Sequence, residues 1–103
     1  MLMITMESEA ALVTFRIDGH LAGAGVDELA RHWSAASSRP HQRVLFDLTG
    51  VTSVDMLGKE FLAQAHRHGD TLVGGVTTRA IVEEIRAGVV ADVQQSEHAH
   101  PLG

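Results

Sequence analysis

A single α/β domain, with a mixed sheet of four to five strands and three or four helices packed against it, is predicted by three features of the sequence. The chain has 103 residues, room for one domain around one core. Apolar residues alternate with a period of two near the N-terminus and recur at helical spacing further on. In the second half, short apolar runs alternate with helical stripes, which implies parallel strands joined by right-handed crossovers.

Residues 1–7 alternate loosely and end at the polar break Glu7-Ser8-Glu9. Residues 11–18 then place Ala11, Val13, Phe15 and Ile17 on one face and Leu12, Thr14, Arg16 and Asp18 on the other, as in a half-buried strand. Two strands with a short break between them read as an antiparallel hairpin. Gly19, Gly23 and Gly25 mark an irregular loop. A helix is expected over residues 26–36, because Val26, Leu29, Ala30 and Trp33 fall at i, i+3, i+4 and i+7. Asp27 and Glu28 suit its positive end, and Pro40 follows its stop.

Residues 43–48 form a short apolar run with one acid, the pattern of a strand buried on both faces. Thr49-Gly50 breaks it. A second helix is expected over residues 56–68, with Leu57, Phe61, Leu62 and Ala65 along one stripe, Asp55 as its cap and Gly69 as its stop. Residues 71–73 read as a short strand, Gly74-Gly75 as a break, and Thr77 or Thr78 as a cap. The third helix spans residues 80–85 with Ile81, Val82 and Ile85 inward, and Gly88 ends it. Residues 89–93 are compatible with a last edge strand. The domain is thus expected over residues 1–93, with a frayed, flexible tail over 94–103.

Composition narrows the function. With no cysteine, disulfide scaffolds, zinc–thiolate clusters, iron–sulfur sites and cysteine nucleophiles are excluded. Eight basic against thirteen acidic residues give a net charge of −5, which repels nucleic acid rather than attracting it. No apolar run approaches the ~20 residues needed to cross a bilayer, so no membrane insertion is expected. The first residues lack the basic and cleavage-site features of a signal peptide. A small, acidic, cytoplasmic protein is the expected class.

The chain offers little that reads as reaction chemistry. Seven histidines invite a metal site, but His66 and His68 diverge on a helix, and no third ligand accompanies His98 and His100. His20, His32 and His41 are scattered, so no metal is assigned. Gly23 and Gly25 lie between a strand and a helix, yet the third position of a dinucleotide fingerprint is Glu28, whose charge opposes a pyrophosphate. Asp47 and Asp55 are explained by ladder-end and cap roles. No cofactor and no catalytic residue is assigned, and an enzyme is the weaker reading.

The most specific text is Val44-Leu-Phe-Asp-Leu-Thr-Gly-Val-Thr-Ser-Val-Asp55-Met-Leu-Gly58. It resembles the STAS domain, the fold of bacterial anti-sigma factor antagonists. There a buried strand ends in Asp-Leu-Ser-Gly-Val, and a second aspartate, two small residues and a glycine open a helix. Ile17-Asp-Gly-His-Leu-Ala-Gly23 is similar to the family's first loop, and His68-Gly69-Asp70-Thr-Leu-Val73 to its helix stop and next strand. The resemblance covers about residues 5–86. It departs at one telling place: regulated members carry a phosphorylated serine just before the glycine, and this chain has Leu57, preceded by Met56. Leucine accepts no phosphoryl group. The resemblance therefore implies the branch without the phosphoswitch.

What the resemblance implies is a non-enzymatic interaction domain that regulates a partner, an anti-sigma factor or a sensor-type kinase, and so transcription. Docking is expected through Asp55, Met56, Leu57, Gly58 and Lys59 at the start of the second helix, with His20 and Leu21 beside them. Asp47, Gly50, Asp55, Gly58 and Gly69 are the expected structural motif. A glycine at a first helical turn lets another chain approach closely, and methionine adds an adaptable apolar contact. An accessory subunit of a lipid-transport ABC system, or a small-ligand or nucleotide-binding module, is the alternative. A homo-oligomer is compatible with either.

Overall fold

The computed structural model describes residues 2–88. The expected last strand over 89–93 and the tail lie outside the described residues. The chain runs β1 (Leu2–Glu9), β2 (Leu12–Leu21), α1 (Ala24–Ser37), β3 (Arg43–Val54), α2 (Met56–His68), β4 (Thr71–Gly74) and α3 (Arg79–Arg86). The four strands form one mixed sheet in chain order. β1 pairs antiparallel with β2, β2 pairs parallel with β3, and β3 pairs parallel with β4.

The hairpin is tighter than its polar break suggests. β1 continues through Glu7, Ser8 and Glu9, and the turn falls at Ala10, which adopts a positive φ of 37°. The acids that looked like a loop are tolerated because β1 is an edge strand whose outer positions meet solvent. At the other end, β2 runs on through Gly19, His20 and Leu21, so the expected glycine loop shrinks to Ala22 and Gly23. Gly23 has φ 55° and ψ −128°, a conformation that glycine alone adopts readily.

All three helices cover one face of the sheet. Val13, Phe15 and Ile17 of β2, with Val44, Phe46 and Leu48 of β3, share a core with Leu29, Phe61, Leu62, Val82 and Ile85. Phe15 stacks on Phe46, and Phe61 meets Phe46 edge-on, both with ring centroids under 6 Å apart, at 5.5 and 5.6 Å. Among the described residues no helix covers the opposite face. β3 is therefore not buried on both faces: Leu45 and Asp47 are half-exposed. Its apolar run reflects one covered face plus flanking residues that tolerate partial exposure.

The α2 stripe differs at one position. Phe61, Leu62 and Ala65 are buried, whereas Leu57, expected to begin the stripe, is 52% exposed. Ala63 is buried instead. Gly69 ends α2 in the left-handed conformation (φ 106°), with Asp70 N–H bonded back to the Ala65 carbonyl. Before α3, the buried Thr78 hydroxyl accepts from Gly75 N–H and donates to the Leu48 carbonyl, tying the β4–α3 loop to β3.

Candidate functional site

The ends of β2 and β3 and the starts of α1 and α2 meet at one pole of the sheet. β3 outruns β4 there: β4 pairs only with residues Leu45 to Leu48, and the rest of β3 pairs with β2 as far as Leu21 opposite Val54. Two register shifts, between Arg16 and Asp18 and between Gly19 and His20, carry the paired strands to that end.

Asp55 is the keystone of the pole. One carboxylate oxygen accepts from Gly58 N–H at 2.8 Å, capping α2, and the other accepts from Gly23 N–H at 3.1 Å, holding the β2–α1 loop. The Asp55 N–H in turn donates to the Leu21 carbonyl. Gly58 is buried against this junction. A Cβ added there would lie 2.7 Å from both the Leu21 carbonyl oxygen and a Val54 methyl. Asp55 and Gly58 thus fix the angle at which α2 leaves the sheet.

On that frame Met56 and Leu57 point outward, 64% and 52% exposed. Lys59 is half-exposed. His20 is exposed, and its Nδ1 lies 2.6 Å from the Ser53 hydroxyl and 3.3 Å from that of Thr52. Leu21, expected on the docking surface, is wholly buried, and its carbonyl serves the junction instead. Alternation hid this, since Leu21 is the last buried position of a strand read as a loop. The structure therefore brings Asp55, Met56, Leu57, Gly58, Lys59 and His20 to one pole, and removes the Leu21 side chain from its surface.

The remaining motif residues lie away from this surface. Asp47 accepts from both the N–H (3.0 Å) and the hydroxyl (2.7 Å) of Thr49. The Thr49 hydroxyl, then its N–H, holds the Asp47 carboxyl below its ordinary value, with Arg16 adding to the effect. At Gly50 a Cβ would fall on the Asp18 carboxylate, so this glycine lets β2 and β3 pass closely. Gly75, not singled out from sequence beyond a strand break, packs directly against the Thr49 backbone.

The opposite pole holds features that sequence reading missed. Trp33 Nε1–H donates to the Asp70 carboxylate, and His68 lies 3.6 Å from the same group and edge-on to the indole. A polar signal existed, in Asp70 straight after a helix stop, but its partner is 37 residues distant. An open cavity of about 510 Å³ lies beside this cluster, lined in part by Gln42, Arg43, His68 and Asp70. Among the described residues, no three histidine or carboxylate side chains converge as metal ligands, and no helix is long and apolar enough to cross a membrane.

Neither a family model nor a curated protein matches the chain. Solved structures do. The anti-sigma factor antagonist SpoIIAA in its unphosphorylated form superposes with a TM-score of 0.64 at 14% identity, over 80% of this chain and 83% of that one. An anti-sigma factor antagonist STAS domain from Rhodobacter sphaeroides gives 0.51 at 21% identity, over 72% and 85%. A structure of Mglu gives 0.59 at 18% identity, over 73% of this chain, which spans only 20% of that protein. The chain has the fold of SpoIIAA and of that STAS domain.

Proposed function

We propose that this domain is a non-enzymatic interaction module that regulates a partner protein by docking through the start of α2. The observation that carries the reading is the outward Met56-Leu57 pair, held on a rigid Asp55–Gly58 frame. Exposed adjacent apolar side chains on a fixed helix start suit desolvation against another protein. His20 and Lys59 supply a polar rim.

SpoIIAA is an anti-sigma factor antagonist, and likeness to it supports an anti-sigma factor or a sensor-type kinase as the partner, acting in the bacterial cytoplasm on transcription. Leu57 stands where the resemblance places the phosphorylated serine, so docking here is not released by phosphate at that position. Control would then rest on the abundance or state of the partner. The cavity beside Asp70 favours, as a second reading, a small-ligand module. A thermal-shift screen separates the two, because a ligand at 100 times its Kd raises stability by about 2.7 kcal/mol.

The test of docking is a pair of variants titrated against anti-sigma factors and sensor-type kinases, with a melt on each. Met56→Glu should fold normally and lose binding, and Phe61→Ala should damage both. Normal binding by folded Met56→Glu would move the interface elsewhere.

A further inference from the structure

The two edges of the sheet are unlike. β4 is four residues long, and Arg86 reaches across to donate to its Leu72 carbonyl. β1 is eight residues long, and among the described residues no side chain bonds its backbone. Long, uncharged edges invite pairing with another strand unless lysine, proline, a bulge or a covering element blocks them. Residues Leu2 to Met6 contain no charge, proline or glycine. Both sides of this stretch carry exposed methionine: Met3, at 62%, on the open face, and Met6, at 57%, on the helix-covered face.

We infer that β1 pairs antiparallel with β1 of a second copy, joining two four-stranded sheets into one of eight strands. Overlaying the uncharged stretch Leu2 to Met6 on its own copy sets the register. Centred on Ile4, the two-fold places Leu2 opposite Met6 and Met3 opposite Thr5 of the other copy, and Ile4 opposite itself. Glu7 and Glu9 then lie outside the paired stretch Leu2 to Met6. Centred on Ser8, the same symmetry would set Glu7 directly against Glu9, and like charges facing each other across strands destabilise the pair. An isologous two-fold closes, so the assembly stops at two copies.

The flank of α1 above this edge agrees with a second copy of the chain. His32, Ala35, Ala36 and Arg39 line a groove of about 300 Å³ with Met6 and Val13. Glu28 lies on the same flank, 4.0 Å from His32. Acid thus marks the N-terminal half of the flank and base its C-terminal half. The two-fold runs the two α1 helices in opposite directions, so the acidic half of each faces the basic half of the other. One strand pair with its flanks is small against the ~1,600 Å² of a standard interface, so association should depend on concentration. The two α2 poles point in opposite directions along the sheet, which leaves both free to dock a partner.

The natural absence of cysteine makes the register directly testable. Sedimentation of the full chain should show a concentration-dependent dimer. Met6→Asp should weaken it by about tenfold or more, an unpaired charge against apolar side chains, while the melt at low concentration stays unchanged. Under mild oxidation an equimolar mixture of Met3→Cys and Thr5→Cys should cross-link, and each variant alone should not. A chain that stays monomeric at the highest soluble concentration overturns the inference. So does a dimer indifferent to Met6→Asp, or cross-linking equal in the mixture and the single variants.

Discussion

Asp55 does two tasks with one carboxylate, and its removal separates them from the surface they support. Asp55→Ala loses the α2 cap and the tie to Gly23, so its cost should lie toward the upper end of about 0.5–2 kcal/mol. Gly58→Val should cost more, since its side chain would strike the Leu21 backbone carbonyl and a Val54 methyl. Chemical denaturation of each variant measures this, and unchanged midpoints would mean the junction is not the frame of the pole. Asp47 offers a pH test. Its carboxyl is held below the ordinary value by Thr49, so its charged form stabilises the fold at neutral pH. That contribution is present above the unfolded pKa of about 3.9 and is lost as pH falls through the lower folded value. Asp47→Asn should therefore melt below the natural chain at neutral pH, with the gap closing in acid. A gap that does not close would mean the carboxylate is not stabilised by that contact.

At the scale of elements, periodicity located the strands and helices but not where paired strands end. The buried residues Val13, Phe15 and Ile17 follow a period of two that any one strand displays by itself. The second half of β3, Thr49 to Val54, has no such pattern. It is held as a strand by β2, some thirty residues away, through a ladder with two register shifts, and local sequence carries no trace of that partner. Leu57 failed for a related reason. Helical spacing assigns a stripe, but the first turn of α2 overhangs the sheet, so a position on the stripe meets solvent. The α2 stop was legible because glycine in a left-handed turn is a local requirement. Gly69→Ala should cost about 1–2 kcal/mol from backbone strain alone, with open space around the new methyl. Phe61→Ala should cost about 3–5 kcal/mol, because it empties the junction of α2 with Phe46 and Trp33. A small loss there would mean that the helix is not anchored by its aromatic contacts.

The molecule as a whole separates a rigid scaffold from a surface that the scaffold only presents. One face of the sheet is closed by helices, and the C-terminal ends of β2 and β3 carry the Asp55 junction to a pole where few side chains are needed for folding. The sequence resemblance puts Leu57 where regulated STAS proteins carry the phosphorylated serine, and on the proposed reading incubation with a related kinase and ATP should leave the intact mass unchanged. A phosphopeptide containing Thr52 or Ser53 would instead show a switch moved along the strand. The central claim is that the pole docks a partner without being part of the core, and Met56 tests it most directly. At 64% exposure, Met56→Glu should change stability by less than about 0.5 kcal/mol. Burying the new carboxylate in an apolar interface should still cost several kcal/mol of binding. The measurement is a denaturation curve and a binding titration on the same Met56→Glu sample. Unchanged stability with binding lost is the predicted result, and a folded variant that binds as the natural chain does would contradict it.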